Sequence, residues 1–506
     1  MMKSLLTTFL FAACALSASA TDYYVSPAGA GTKDGSSWEN AWDLATFQDR
    51  ASESNSGTSF ANVDNIYFAG GKYVATKTLY IKMGLNLIGA TEGERTVFSG
   101  DANGDGEVNE GDRDRVFQIN TAVGVGTTEK CVSISNIDFD GLFIAQGGDD
   151  TKGAIYLDNC GALVTVSKCN FKNLINTGQG ANAFFSKRSS LKVIDCTFTG
   201  NKAANRGVVA RLQSNNATKG WTTFERCLFA DNEATGSPSD PCGLVMMQHG
   251  QELTINSCTF VNNTIKGNGA SIYNATKPDA TYARVLNVTN CLFYNNTSAD
   301  NQNVLGNSVS TVTNSVVHDD ATSAAINITS VGVGTYYLGL PFTMPAGLMG
   351  KTFSSDNAGV LTIGETYTAG DIVPAGTALL VEGTEGVYDP VVAVSDEAAP
   401  TNLLKGSDVA ETTTGDGKHY KLANGESGLG FYYAEAGGAA FMNKAHRAYL
   451  VLDGSEARSF VSFENEAASV KGLQNSGTKR SGKFIENGRI VMMKNGIKYN
   501  VVGQKL

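Results

Sequence analysis

The stretch DANGDGEVNEGD, residues 101–112, sets oxygen-bearing side chains at a metal-binding spacing. Asp101, Asn103, Asp105, the Glu107 carbonyl, Asn109 and Asp112 fall at positions 1, 3, 5, 7, 9 and 12, with Gly106 at position 6. Hard oxygen ligands in that order wrap a Ca2+, and the glycine allows the sharp turn. Asp112 is a shorter arm than the bidentate Glu usual at position 12. The loop also lies between the strand-like stretches TVFSG and RVFQI, not between helices. Two readings stand: a structural Ca2+ of modest affinity, or an acidic turn insertion.

A second set of side chains is basic: Lys187, Arg188, Arg206, Arg211 and His249. Abstracting a proton beside a uronate carboxylate takes a Lys, Arg or His base, plus a cation or Arg to neutralise the carboxylate. Arg211 with Lys187 is the pair to examine, because their strands fall in neighbouring repeats. Each residue alone also reads as a solvated surface charge. Glycoside hydrolysis needs convergent carboxylates. The only Asp-Asp pairs, Asp149-Asp150 and Asp319-Asp320, look like loop residues. No G-x-x-x-x-G-K-[ST] phosphate loop, Ser-His-Asp signature or histidine zinc motif appears, so no organic cofactor is expected.

These residues sit in a repeating chain. CTFTGN (196–201), CLFADN (227–232), CTFVNN (258–263) and CLFYNN (291–296) are near-copies. Cys169, Cys196, Cys227, Cys258 and Cys291 fall 27, 31, 31 and 33 residues apart, with Ile137 before them and Ser315 after. Each follows an alternating strand (LVTVSKC, LKVIDC, TFERC, LTINSC, LNVTNC). A second apolar strand lies upstream: AIYL, AFF, GVVARL, GLVMM or ASIY. A period of this size marks a solenoid. With no helix in the unit and no propeller signature, each unit is read as one turn of a parallel β-helix holding two or three strands.

Stacking then places like over like. Phe171, Phe198, Phe229, Phe260 and Phe293 are predicted to form one column and the cysteines another. Adjacent sulfurs stay about a rung apart, beyond disulfide reach. The cysteines are therefore read as small apolar corner residues rather than a metal or redox site; Cys131, Cys160 and Cys242 lie off the column. Asn201, Asn232, Asn263 and Asn296 are predicted to turn the chain with φ > 0 and to bond amide to amide along a ladder.

The chain has 506 residues, 57 Gly, 9 Pro and a net charge of −10. That balance suits an exported all-β protein and argues against nucleic-acid binding or docking on anionic lipid. Nothing in it resembles an amphipathic helix. Lys3, the apolar run Leu5–Leu16 and Ala18-Ser19-Ala20 predict a signal peptide over 1–20. The alternative is a lipidated Cys14, for which Phe11 is a poor lipobox residue. No later run is long enough for a transmembrane helix.

The entry segments DYYVSPAGAGTKDGSSWENAWDL (22–44) and IYFAGGKYVATKTLYIKMGLNLIGATEGERTVFSGD (66–101) resemble secreted right-handed parallel β-helix proteins, which include pectate-lyase-like domains. The F-x-x-N elements with GAIY (153–156) and GASIY (269–273) are similar to polymorphic outer-membrane adhesin repeats. The 101–112 loop resembles a single dockerin-type loop. The tail KFIENGRIVMMKNGIKYNVVGQKL (483–506) resembles type IX secretion sorting tails, without a full sorting domain.

The expected fold is all-β: a right-handed parallel β-helix over 21–322, then a smaller β-sandwich-like domain over 323–466. A linker (467–482) and a sorting-like hairpin tail (483–506), with Asn-Gly turns at 487–488 and 495–496, would complete the chain. The resemblance implies a secreted or outer-membrane, cell-surface protein that binds a polysaccharide or host-surface glycan as an adhesin. The alternative is a polysaccharide lyase using Lys187, Arg211 or His249. A lyase needs a basic concave groove beside a bound cation; a binder needs a flat polar face.

Overall fold

The computed structural model describes residues 20–463, except 54–63, 75–76, 121–126, 146–152, 179, 205, 215–219, 237–240, 249–251, 267, 275–284, 299–301, 307–309, 415–417, 434–439 and 453–457. It also describes the strands Gly482–Glu486, Arg489–Lys494 and Ile497–Tyr499, which pair antiparallel. The segment read as a signal peptide, the linker up to 481 and both Asn-Gly turns lie outside the described residues.

Residues 22–317 wind into a coil of stacked parallel strands. A full turn carries four strands, one in each of four sheets. The first sheet has ten strands, from Asp22–Val25 to Ser310–Thr313. The second has nine, from Gly71–Val74 to Val316–Val317. The third has six, from Phe143–Ile144 to Thr297–Ser298. The fourth has eight, from Leu79–Ile81 to Val304–Gly306. The sequence pattern suggests two or three strands per turn. The extra one is the third-sheet strand, whose two residues are too few for alternation to show.

Two tight corners shape each turn. Between the first and second sheets a single residue takes a left-handed conformation: Asn136, Lys168, Asp195, Arg226, Ser257, Asn290 and Asn314 have φ between 45° and 57°. Between the second and third sheets the left-handed residues are Asn173, Gly200, Asp231, Asn262 and Asn295. Here the structure corrects the expectation. Positive φ belongs to the residue before each ladder asparagine, where Gly, Asn or Asp accept it most readily.

The ladder asparagines act through their amides. Asn232 Nδ2 donates to Asn263 Oδ1 (2.9 Å) and to the Phe198 carbonyl (2.9 Å), while its main-chain N–H also donates to Asn263 Oδ1 (3.0 Å). The pattern recurs from Asn201 to Asn296, and Asn303 and Asp319 continue it. Every link satisfies corner backbone that burial would otherwise orphan.

The phenylalanines form one file. Rings stack at 4.7 Å (Phe139–Phe171), 5.2 Å (Phe171–Phe198), 4.9 Å (Phe198–Phe229), 4.3 Å (Phe229–Phe260) and 4.5 Å (Phe260–Phe293). Phe98 and Tyr73 extend it towards the N-terminal end, with the rings within 22° of parallel. All are buried in the main core.

The cysteine column does more than fill a corner. All eight described cysteines are thiols. The main-chain N–H of Cys227 donates to Cys258 Sγ (3.3 Å), and that of Cys258 to Cys291 Sγ (3.5 Å). Ser315 Oγ takes the same place for Cys291 N–H at 3.0 Å. Burial pushes the Cys196 and Cys258 thiols up, which keeps them unreactive.

An amphipathic α-helix, Leu44–Glu53, packs on the N-terminal end through Leu44, Phe47 and Ala51. Its existence corrects the helix-free reading; the i, i+3, i+7 spacing was its signal. Asp43 Oδ1 caps it by accepting Thr46 N–H at 2.8 Å. After residue 323 the chain forms a second β-domain. Its main element is a nine-stranded mixed sheet, antiparallel except where Val360–Tyr367 meets Phe460–Phe463. Phe353, Leu380, Tyr420, Phe431, Leu450 and Val461 belong to its own core.

Candidate functional site

Lys187 and Arg211 both lie on the fourth sheet. Register pairs Phe185 with Arg211 and Lys187 with Gln213, so the two basic residues are offset by two positions on adjacent strands. Arg211 is 3% exposed. Its guanidinium lies 5.0 Å over the Phe185 ring, and Nε donates to Gln248 Oε1 at 2.8 Å. Tyr156, Phe185 and Met246 share its column and are buried too, with Ala181 packed on the first two. Arg115 stacks over Tyr156 and donates to Gln118. This face is therefore an internal cation–aromatic seam.

Lys187 is half-buried, in register with Asp158 and Gln213. Arg188 has a left-handed backbone and pairs with Asp158 at 3.4 Å. Arg206 is also left-handed and half-buried. His249 lies outside the described residues, as do Asp149 and Asp150. Asp319 caps the asparagine ladder at Asn303, and Asp320 Oδ1 accepts Thr322 N–H.

The 101–112 loop replaces the third-sheet strand of its turn, between Thr96–Ser99 and Phe117–Ile119. Asn103 Nδ2 reaches Asp105 Oδ2 and Asn109 Oδ1, both at 3.0 Å, and Asn109 Nδ2 reaches Asp105 Oδ2 at 2.7 Å. Asp101 Oδ1 accepts Gly106 N–H (3.4 Å), Asp105 Oδ1 accepts Glu107 N–H (2.8 Å), and Asp112 Oδ2 accepts Asn109 N–H (3.0 Å). Asp112 Oδ1 is buried with no hydrogen-bond partner, an orphan that a cation would satisfy. Lys72 Nζ holds Asp101 Oδ2 at 2.8 Å. Among the described residues, no three His, Cys, Asp or Glu side chains are gathered closely enough to hold a metal by themselves. A Ca2+ here would depend on the Asn103 and Asn109 amides, the Glu107 carbonyl and release of Asp101 from Lys72. Three fourth-sheet steps, roughly 14 Å along the axis, separate the strand after this loop from that of Arg211.

The first sheet presents a different surface. One outward column runs Asn65, Asn86, Ser133, Thr165, Lys192, Thr223, Thr254, Asn287 and Thr311. The next runs Tyr24, Tyr67, Ile88, Ser135, Ser167, Ile194, Glu225, Asn256, Thr289 and Thr313 in the same register. These side chains are half-buried or exposed. Asn86 Nδ2 donates to Asn65 Oδ1 (2.9 Å), and Ser133 Oγ to Asn86 Oδ1 (2.7 Å). The result is a surface dominated by amides and hydroxyls at the ~4.8 Å rung spacing, interrupted by Ile88, Ile194 and the Lys192–Glu225 ion pair at 3.4 Å.

The second sheet's outer face changes character along the coil. Asp138, Asn170 and Thr197, with Asp140, Lys172 and Thr199, give way to Leu228, Leu292 and Val316, with Ala230, Val261 and Tyr294. On this apolar half the C-terminal domain docks, packing Ile326, Tyr336, Leu338, Phe342 and Val392 against it. Tyr294 Oη donates to Asp389 Oδ1 at 2.6 Å, and Val392 N–H to Thr259 Oγ1 at 3.0 Å. Burial, reinforced by Asp389, pushes the Tyr294 hydroxyl up and keeps it a donor.

At the same junction His318 Nε2 and His446 Nε2 share a hydrogen bond of 2.7 Å. Asp408 lies 3.3 Å from His446 Nδ1, and the Tyr337 carbonyl also faces that nitrogen. Burial first, then His446, holds His318 below the ordinary histidine value, while Asp320, Asp408 and Asp319 oppose the shift. A depressed histidine leaves stability intact above about pH 6.5. Below that the unfolded chain takes the proton first, so stability falls with pH towards the folded value. The melting temperature should therefore drop from pH 7.5 to pH 5 more steeply in the native chain than in His318→Gln; equal slopes would contradict this.

Residues 121–317 match the family model described as "Right handed beta helix region". With the four parallel sheets, this defines the class: an all-β protein built on a right-handed parallel β-helix, with a further β-domain at its C-terminal side. No match was found among curated proteins. Among solved structures, the chain is similar to PfbA, a surface adhesin of Streptococcus pneumoniae, at 11% identity and a TM-score of 0.27, covering 51% of this chain and 76% of that one. It is also similar to ORF18 of Geobacillus virus E2, at 12% identity and a TM-score of 0.19, covering 89% and 82%. The Dettilon tailspike protein (gp208) aligns at 11% identity and a TM-score of 0.18, covering 84% and 93%. Overlaps at these scores carry no inference about function. Among the described residues, no helix is long and apolar enough to cross a membrane.

Proposed function

We propose that this is an exported surface protein that binds a glycan along the outer face of the first sheet. The observation that carries the reading is the recurrence of Asn, Ser and Thr along the first sheet's outward columns from Asn65 to Thr313, broken at Lys192 and Ile194. Repeated donors and acceptors at rung spacing match the repeated hydroxyls of an extended polysaccharide. Parts of two other faces are committed elsewhere: the second sheet's apolar half to the C-terminal domain, and the Tyr156 and Phe185 stretch of the fourth to its buried seam. The lyase alternative is less well supported. Arg211 is buried on Phe185 and Gln248, and the acidic loop stands about three rungs away. The test is binding of the full chain to immobilised neutral and uronate-containing polysaccharides, while following absorbance of unsaturated products. Binding that Thr254→Asp weakens, with no absorbance rise, supports the reading. An absorbance rise abolished by Arg211→Ala sinks it.

The 101–112 loop is a structural Ca2+ site in this reading, favoured by the orphaned Asp112 oxygen. Holding a turn insertion against the coil, the ion would stabilise the folded chain by about 2.7 kcal/mol at a hundredfold excess over Kd. Calcium should raise the melting temperature of the native chain and not of Asp105→Ala. An equal rise in both would remove the site.

A further inference from the structure

We propose that the cleft between Trp38 and the first turns of the coil is a stacking subsite for one pyranose ring of a neutral glycan. It deepens the glycan-binding reading above and rests on it.

Trp38 is 45% exposed, unusual for so large an apolar side chain. Its ring meets Tyr24 edge-on at 4.8 Å, and Tyr24 stacks on Tyr67 at 5.6 Å. Tyr24 and Tyr67 are the opening members of the second outward column of the first sheet. Trp38, Tyr67, Phe68, Ile88 and Thr91 line a cleft of about 380 Å3, with the small residues at 69–70 and 89–90 completing it. That volume falls within the range of small-ligand sites.

The platform is held in place beforehand. Trp38 begins a short 3-10 turn, Trp38–Asn40, inside a loop pinned to the coil. Tyr24 N–H donates to Gly35 O, Trp42 N–H to Tyr24 O, and Ala30 N–H to Ala41 O. Asn40 Oδ1 accepts both the N–H and the hydroxyl of Thr32, each at 3.1 Å. A ring fixed this way loses little entropy on binding.

The lining selects the ligand. An aromatic face meets the C–H face of a sugar, and the adjoining column of Asn65, Asn86 and Ser133 supplies donors and acceptors for its hydroxyls. No lining side chain carries a charge. Asp22 lies close enough to Tyr67 to help burial raise its hydroxyl pKa, so that hydroxyl remains a neutral donor. An acidic margin of this kind disfavours uronate or sulfated rings.

The test is titration of the full chain with cellohexaose, mannohexaose, xylohexaose and a galacturonate hexamer, followed by tryptophan fluorescence and calorimetry. Expected is binding of at least one neutral hexaose, weakened roughly tenfold or more by Trp38→Ala, about 1.4 kcal/mol. Trp38→Tyr, which keeps a ring, should restore most of it, and circular dichroism should be unchanged in both. If Trp38→Ala binds as the native chain does while Thr254→Asp does not, the subsite is wrong and the face reading survives. Binding of the galacturonate hexamer alone overturns the neutral assignment. Binding of none overturns both.

Discussion

Phe260→Ala should lower the stability of the coil by about 3–5 kcal/mol, the usual cost of emptying a buried phenylalanine site. Phe260 is fully buried and stacks at 4.3 Å on Phe229 and 4.5 Å on Phe293. Rungs contact only their neighbours, so the cavity cannot be closed by distant rearrangement. Corner backbone beside it also hangs on the ladder: Asn296 Nδ2 donates to the Phe260 carbonyl at 2.9 Å. The loss should therefore appear first as faster amide exchange in the turns holding Phe229, Phe260 and Phe293. Phe260→Leu should cost clearly less. Denaturant unfolding with local hydrogen exchange checks both; a uniform small loss would speak against the stacked file.

Leu292→Asp should release the C-terminal domain while leaving the coil wound. Leu292 is fully buried on the outer face of the second sheet, inside the docking cluster. An unpaired carboxylate buried there costs several kcal/mol. Undocking returns it to water, and both domains keep their own cores. Expected are a larger radius of gyration in solution scattering and new proteolysis between 318 and 326, with circular dichroism unchanged. Loss of β-structure at unchanged radius would mean the two parts fold as one unit.

Some of this was legible in the residues and some was not. The phenylalanine file and the asparagine ladder are visible because a stacked coil turns period into column. The file's first members, Tyr73 and Phe98, escape notice because those early turns lack the Cys-x-Phe-x-x-Asn pattern. Left-handed φ falls one residue before each ladder asparagine, since the corner itself needs the compact backbone and the amide must reach back over it. The docking face was present in the sequence unread: the residues flanking each phenylalanine shift from Thr197 and Thr199 to Leu292 and Tyr294. Arg211 reads as a groove residue because its strand falls in the repeat next to that of Lys187; what sequence could not show is that its column is covered. Trp38 gave no signal either, since its cleft exists only where the loop folds back beside Tyr24 and Tyr67.

The most direct test of the account is a crystal structure of the full chain with a bound oligosaccharide found by the hexaose screen. The sugar should lie along the Asn, Ser and Thr columns of the first sheet, with one ring against Trp38. An oligosaccharide seated on the fourth sheet over Lys187 and Arg211, with that seam opened, would contradict it.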